Sequence, residues 1–516
     1  MSDNEQLPQI TNFLEKKDRL EIEGSLLKQE TFKEIPPAFV EIVEQLRKLT
    51  RTWNPVELVT PSAESMRREK ELFFAAFDKG NDYYPKFTYT HAQNINLDSQ
   101  RAMRILQKAL EHISAFRPEN RSEQIAKVVL YYKVRDDLAT AQLLKGLKEG
   151  SDEQIGKALA KKYTTIDDEL VSIAEKMYQQ SILSSAKSGS AESTELPTES
   201  ELTELTKSVE PAENSVPLLS SEQQKLLTSV EMTAEETKTA FDWLLDEYGM
   251  SRTVDRPGFK TIISDEVYSI DVRDKSVQPM TIFIPKERLA GKMTGLKLLE
   301  LMYHEIEGHA RQSMNGRVLT VGGGELRVDE EVLYEGLAKR LDTRFHREFL
   351  GKKEGIPQTY YVFAVQMAEQ GASFPEIFKD QFNRQLHKIL KIPHDQPLPD
   401  ETNLSPQHLM EAKNKAWKYT YRVMRGHIKT TNKEGYAFAK DLAYLRGYLL
   451  DKALVESGNG YINELAIMQV NALQLVAEID FQSEDLPFPF LDLTKKYCFE
   501  VLLPKLEARQ KNQQTT

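Results

Sequence analysis

The residues best suited to chemistry form the run HEIEGH, from His304 to His309. Imidazole nitrogens bind transition metals, and Glu305 beside the first histidine can act as a general base. In the common zinc helix, HExxH, the histidines are four positions apart and differ in direction by about 40°, so both reach one ion. Here they are five positions apart, which separates the rings by about 140° on an ideal helix. Binding of one metal by both histidines therefore requires an extra residue in the turn, and we predict a π-bulge between Ile306 and Gly308.

Gly308 suits such a bulge, because a residue without Cβ tolerates irregular backbone. The motif could also arise by chance in a chain with nine histidines. Its position favours a metal site, because it lies on an amphipathic helix that follows a predicted β-hairpin, the order found in zinc peptidases. A regular α-helix through His309 would argue against a metal.

The next predicted helix supplies a candidate third ligand, Glu335, within DEEVLYEGLAKRLD. Two histidines and a glutamate from a following helix form a known zinc ligand set, which leaves a fourth position for water. Gly336 and Ala338 would let the two helices approach closely. Glu331, one turn earlier, could orient a ligand histidine, although a solvated acid at the helix start is an equal alternative. Without the histidine motif upstream, Glu335 would be interpreted as one more solvated charge on its helix.

The elements that must position these residues are mostly helical. Period-3.6 patterns predict helices in the front of the chain, including one that starts at Ser62, while TIISDEVYSIDVR and QPMTIFIPKE alternate as a hairpin. We therefore predict a mostly helical α+β fold. Its predicted ranges are a leader or docking helix at 1–53, a helical front at 54–183, a disordered Ser/Thr/Glu-rich linker at 184–221 and a catalytic part at 222–516.

Composition narrows the function. The net charge of −11 argues against a dedicated nucleic-acid binder. Cys498 is the single cysteine, which excludes a disulfide framework within the chain and predicts a buried, inert thiol. No signal peptide or long apolar run occurs, so we expect a soluble, cytoplasmic protein without a membrane partner. Gly322–Gly324 is expected to be a flexible loop, and His346, His387 and His427 to be structural or surface residues.

Several ordered motifs resemble one known family. HEIEGH, Asn315–Gly316, YEGLA (334–338), RVMRG (422–426) and FAKDLAYLRG (438–447) are similar to motifs of the zinc carboxypeptidase family that includes the microtubule-associated tyrosine carboxypeptidase of animals and bacterial QEGLA-motif proteins. The resemblance runs from about Asn54 to Pro489, interrupted by the linker. It implies Zn²⁺ bound by His304, His309 and Glu335, with Glu305 as catalytic base. Tyr334, where relatives have Gln or Glu, and Glu307-Gly308 depart from the family pattern.

A carboxypeptidase also needs cations for the terminal carboxylate of its substrate, and an arginine fork grips a carboxylate with two hydrogen bonds. The candidates are Arg422, Arg425, Lys440 and Arg446, of which the resemblance favours the first three. Tyr444 is a candidate donor to the tetrahedral oxyanion. The alternative is a solvated basic face and a core tyrosine.

The sequence therefore predicts a zincin-like metallopeptidase core, a hairpin followed by metal-binding helices, with the front helices packed around it. The predicted reaction removes C-terminal residues, tyrosine or other aromatic residues among them, from peptides or protein tails. One alternative is a dipeptidyl-peptidase with an HExxGH zinc helix. Another is a pseudo-enzyme that binds a partner tail and uses the metal only structurally.

Overall fold

The computed structural model describes residues 37–50, 55–96, 98–163, 165–187, 217–253, 258–265, 267, 270–273, 280–286, 293–319, 331–351, 359–400, 403–456 and 490–515. Helices make up most of this part, and a small sheet of three strands accompanies them. The prediction of a mostly helical α+β chain is confirmed.

The front of the chain is a succession of helices whose starts follow local capping signals. The side-chain oxygen of Ser62 accepts a hydrogen bond from the backbone N–H of Ser65 at 3.2 Å, which confirms the helix start predicted there. Asp98 caps a later helix in the same way, through the N–H of Arg101. The front helices are α1 (Val40–Thr50), α2 (Pro55–Leu58), α3 (Ala63–Phe77), α4 (Thr90–Asn94), α5 (Ser99–Ala115), α6 (Arg121–Glu149), α7 (Asp152–Lys162) and α8 (Asp168–Lys187).

Helix α1 corresponds to the helix predicted within the leader. Its residues Val43 and Leu46 and the preceding Phe39 are buried among the other front helices. This part of range 1–53 therefore docks into the core, while residues 1–36 and 51–54 lie outside the described residues.

Four later helices complete the hydrophobic core of the front helices. The ring of Phe73 packs edge-on against Phe374 and Phe378, with centroids 5.1 and 4.7 Å away, and Trp417 lies 5.6 Å from it. We call this cluster the front core. The added helices are α14 (Tyr360–Glu369), α15 (Phe374–Leu390), α16 (Pro406–Val423) and α17 (Leu442–Glu456).

A second hydrophobic cluster, which we call the rear core, surrounds the HEIEGH helix. It buries Phe241, Ile282, Ile306, Phe349 and Leu502. Its elements are α9 (Ser221–Ser229), α10 (Ala234–Glu247), α11 (Gly295–Leu301), a π-helix (Met302–Ala310), α12 (Arg311–Leu319), α13 (Glu331–Leu350), α18 (Leu493–Tyr497), a second π-helix (Cys498–Leu502), α19 (Leu503–Thr515) and the sheet.

The sheet corrects one detail of the predicted hairpin. Its strands β1 (Lys260–Ser264), β2 (Asp271–Arg273) and β3 (Thr281–Pro285) lie in the order β1-β3-β2. β2 pairs with β3 in antiparallel fashion, as predicted, with Val272 opposite Ile282. The prediction of one long first strand is wrong, because β1 is separate and pairs in parallel with the other side of β3. This arrangement places β3 centrally, which explains why Thr281, Ile282 and Ile284 are all buried.

The two cores do not follow the predicted division of the chain at 184–221, since α14 to α17 pack with the front helices. The central part of that range, 188–216, lies outside the described residues. At its described ends the prediction of disorder is wrong. Helix α8 continues to Lys187, and the N–H groups of Leu218 and Leu219 bond to carbonyl oxygens near the end of α13.

Within the described part of the chain, no helix combines the length and the apolar character needed to cross a lipid bilayer.

Candidate metal centre

The HEIEGH segment is a π-helix, from Met302 to Ala310, inserted between α11 and α12. The predicted departure from α-helical geometry is therefore confirmed. Its consequence is that the imidazole rings of His304 and His309 face one another, with centroids 4.8 Å apart and ring planes at 90°. Two histidines that would diverge on a regular helix are thus brought to one place.

Gly308 has a different role from the one predicted. Its φ is not positive, so glycine is not needed there for left-handed backbone. A Cβ at this position would lie 3.4 Å from Cα and Cβ of Ala338 on α13 and 3.3 Å from the carbonyl oxygen of Tyr303. Glycine therefore permits close packing of the π-helix against α13.

Ala338 contributes to this packing as predicted, but Gly336 does not. A Cβ at Gly336 would lie 2.5 Å from the carbonyl oxygen of Gly447 on α17. The prediction that Gly336 faces the metal helix is therefore wrong. Gly336 instead joins α13 to α17.

Glu335 meets the two histidines at this packed junction. Its Oε2 atom lies 4.0 Å from Nε2 of His304 and 4.0 Å from Nε2 of His309. Ligand atoms of a tetrahedral site with bonds of 2.0–2.1 Å are about 3.4 Å apart, so small side-chain adjustments would place all three around one ion. All three side chains are largely buried.

Glu305 lies beside the same histidines and could compete with Glu335 as the third ligand. Its carboxylate oxygen, Nδ1 or Nε2 of His304 and a ring nitrogen of His309 are all within 4.8 Å of one another. Glu335 lies 4.0 Å from both Nε2 atoms, so either glutamate could complete a ligand set with the two histidines, and the other would then lie beside it. Two imidazoles and a carboxylate suit Zn²⁺ and also other divalent first-row metals.

Asp342, which no sequence motif identified, orients His304. Both of its carboxylate oxygens lie 3.2 Å from Nδ1 of His304. This contact places a proton on Nδ1, so Nε2, which lies toward Glu335, is the nitrogen that could bind a metal once its own proton is released, a common arrangement at metal centres. Asp342 lies two helical turns after Glu335, on the same face of α13, so helical spacing from the predicted ligand could have identified it.

The charges of this cluster shift the pKa values of its members. Burial alone lowers the pKa of His304, but the adjacent charge and hydrogen bond of Asp342 outweigh burial and raise it to about 9. Burial raises the pKa of Asp342, yet His304 and Lys339 hold it well below its ordinary value. Burial raises the pKa of Glu305 to about 7, with His304 opposing and Glu335 reinforcing the shift. A carboxylate with a pKa near neutrality is well matched to proton transfer.

Tyr334, a departure from the family pattern, stacks on the ring of His309. The ring centroids are 3.8 Å apart and the planes differ by 14°. The tyrosine thus restricts the orientation of the second histidine. The side chain of Glu331 lies outside the described residues.

The predicted substrate residues lie on α16, α17 and the segment between them. The charge of Glu335 is the main cause that raises the pKa of Tyr444, and Arg422 opposes this shift. Nη2 of Arg422 also donates to Oδ1 of the buried Asp441 at 2.5 Å. Tyr444 is therefore influenced electrostatically by both Glu335 and Arg422.

The other cations are arranged differently. The guanidinium of Arg425 lies 5.1 Å from the ring centroid of Tyr421. Lys440 is half-buried in a 3₁₀ turn. Nη2 of Arg446 donates to the carbonyl oxygen of Thr165 at 2.6 Å and pairs with Asp167. Arg446 thus joins α17 to the front helices.

Of the features set aside, Cys498 is buried as predicted, and burial raises its pKa to about 12. Gly322–Gly324 lies outside the described residues. Comparison with known proteins adds no assignment, since no protein-family model and no curated protein matches the chain.

Proposed function

We propose that the chain is a zinc-dependent metallocarboxypeptidase of the family it resembles, with a zincin-like core that removes C-terminal residues from peptides or protein tails. The observation that carries this proposal is the placement of Glu335 at 4.0 Å from Nε2 of both His304 and His309. These residues come from separate helices, and the histidines have a spacing that only a π-helix makes productive.

The residues around the ligands fit hydrolysis. When bound, zinc supplies a Lewis acid that polarises the scissile carbonyl and lowers the pKa of water. Glu305 takes the proton from the attacking water and delivers it to the leaving amine, for which its pKa near 7 is suitable. Tyr444 stays protonated, because the charge of Glu335 raises its pKa, and it donates to the developing oxyanion.

The position of β2 supports a peptide substrate. β2 is an edge strand of the sheet, and the charge of its first residue, Asp271, acts on Glu305. An edge strand offers backbone groups to an extended peptide, which would then run past the catalytic base. In this proposal Arg422, whose charge acts on Tyr444, binds the terminal carboxylate of that peptide.

The test combines metal analysis with product analysis. Purified wild-type protein, Glu305→Gln and the control Glu300→Gln are analysed for bound metal and incubated with a peptide library that has free C termini. Glu300 lies on the same helical run and bonds to Lys297, so it controls for loss of a partly buried acid.

We expect all three proteins to bind about one zinc and only Glu305→Gln to lose turnover, by at least about 100-fold. The expected products are single C-terminal residues. Release of dipeptides from amino termini would favour the dipeptidyl-peptidase alternative. An unchanged biological role of Glu305→Gln would favour a tail-binding pseudo-enzyme.

A further inference from the structure

The π-helix contacts α13 on one side and the segment 490–494, which we call the strap, on the other. Three residues of the helical run contact it: Tyr303, Glu307 and Arg311. Tyr303 directly precedes His304, Glu307 lies between the two histidines, and Arg311 follows His309 by two positions. The histidines themselves face Glu335 on α13. The π-helix is therefore clamped between the strap and α13.

Glu307, which is fully buried, makes the central contact to the strap. Its Oε1 accepts a hydrogen bond from the backbone N–H of Thr494 at 2.6 Å, and its Oε2 accepts one from the hydroxyl of Tyr248 at 3.1 Å. The same hydroxyl accepts the N–H of Leu491 at 3.1 Å. One carboxylate and one tyrosine thus fasten both ends of the strap to the π-helix.

Two further contacts lie on either side of Glu307. The hydroxyl of Tyr303, next to His304, donates to Asp492, and Arg344 of α13 donates to the same carboxylate at 2.8 Å. Nε of the buried Arg311 donates to the carbonyl oxygen of Glu307 at 2.8 Å. The guanidinium groups of Arg344 and Arg311 lie 4.6 and 5.4 Å from the ring of Phe490.

The strap itself adopts an uncommon conformation. Asp492 has φ of 54°, in the left-handed region, which a non-glycine residue adopts at a cost and keeps only if its surroundings enforce it. A π-turn is likewise rare and needs external support. The two irregular backbones therefore stabilise each other through the hydrogen bonds of Glu307, Tyr248 and Asp492.

We propose that Glu307 is a positioning residue which, with Tyr248 and the strap, keeps the π-turn that directs His304 and His309 to one metal ion. This inference rests on the metal centre of the proposed function. It predicts that metal affinity depends on residues that touch no ligand atom. Glu307 accepts one hydrogen bond on each carboxylate oxygen, so a glutamine, whose amide has a single acceptor oxygen, should replace it only in part.

The test measures metal binding instead of turnover. The Zn²⁺ dissociation constant is determined by competition with a chromophoric chelator, and the visible absorption spectrum of the Co²⁺-loaded protein reports ligand geometry. Variants are Glu307→Ala, Glu307→Gln and Tyr248→Phe. The control is Tyr497→Phe, which alters another buried tyrosine of the rear core. Circular dichroism of the metal-free proteins checks folding.

We expect zinc binding about tenfold weaker in Glu307→Ala and about threefold weaker in Tyr248→Phe, each with an altered Co²⁺ spectrum. Glu307→Gln, which keeps one acceptor oxygen, should weaken zinc binding less than Glu307→Ala, and Tyr497→Phe should stay within about twofold of wild type. If Glu307→Ala does not fold, Tyr248→Phe decides the question.

Unchanged affinities and spectra in Glu307→Ala or Tyr248→Phe, with only lower melting temperatures, would overturn the proposal. The strap would then stabilise the fold alone. A wild-type chain that binds no divalent metal would instead overturn the proposed metal centre itself. The two failures are distinguishable, because in the first one the wild type and the variants bind zinc equally well.

Discussion

Two largely buried histidines, one beside each core, have opposite electrostatic properties. His304 in the rear core bonds to Asp342, and despite its burial its pKa is raised to about 9. His427 in the front core is fully buried and stacks on the ring of Tyr436 at 3.9 Å. Burial lowers its pKa to about 3, and a backbone contact with Tyr436 offsets this only in part.

The difference shows that partners, and not burial, separate the candidate metal ligand from a structural histidine here. Desolvation acts on both rings in the same direction. Only His304 has an acidic neighbour that fixes its tautomer and presents the other nitrogen to a ligand cluster. His427 remains neutral and packs as an aromatic ring, which agrees with its predicted structural role.

The largest expected effect concerns acid stability of the front core. The pKa of His427 is about 3 in the folded state and 6.5 in the reference state, so the unfolded chain binds the extra proton below about pH 6. Below that pH, this residue alone should lower the free energy of unfolding by about 1.4 kcal/mol for each unit by which the pH decreases. His427→Phe, which keeps a ring against Tyr436, should flatten the decline.

The measurement is urea unfolding between pH 7 and pH 4 for wild type, His427→Phe and the exposed-site control His112→Gln. The control should follow wild type. If His427→Phe follows wild type too, the neutral buried histidine is not a source of acid sensitivity, and the contrast with His304 fails.

The second prediction concerns the contact between α13 and α17, where the rear core meets the front core. A Cβ on Gly336 of α13 would lie 2.5 Å from the carbonyl oxygen of Gly447 on α17, and backbone atoms cannot move aside cheaply. Gly336→Ala should cost about 1–3 kcal/mol of stability. The matched control is Gly295→Ala, whose nearest neighbour is a flexible Leu227 methyl at 3.0 Å, with a cost below about 1 kcal/mol.

Thermal unfolding checks both variants. Zinc affinity is measured as well, because Glu335 is the residue before Gly336 and should shift with it. Equal melting temperatures for Gly336→Ala and Gly295→Ala would mean that α13 and α17 can separate without loss, contrary to a rigid junction.

Sequence patterns were sufficient for the elements whose causes are local. The π-helix followed from the spacing of His304 and His309, and helix starts followed from caps such as Ser62. What could not be predicted depends on contacts between distant segments. The parallel pairing of β1, the meeting of Gly336 with Gly447 and the bonds of Glu307 to the strap all join residues far apart in sequence.

The third prediction tests the negative charge of Asp342, which distinguishes His304 from His427. Asp342→Asn keeps an oxygen that can accept the Nδ1–H but eliminates the negative charge 3.2 Å from the ring. Zinc affinity should fall about tenfold, the lower end of the range for such outer partners. Asp246→Asn, at an exposed site on α10, is the control. Affinity within twofold of wild type would show that the charge of Asp342 does not support the metal ligand.

The smallest expected effect is that of Lys339, whose Nζ lies 2.7 Å from Oδ2 of Asp342. Its positive charge counteracts the effect of Asp342 on His304 and would repel a bound dication. Lys339→Met should therefore strengthen zinc binding, but by less than about threefold, since partly exposed ion pairs contribute under about 1 kcal/mol. Lys496→Met, which breaks an exposed pair with Glu247 at 2.8 Å, should change nothing. Weaker zinc binding in Lys339→Met would reverse the interpretation, because Lys339 would then act chiefly by holding the Asp342 carboxylate against the histidine.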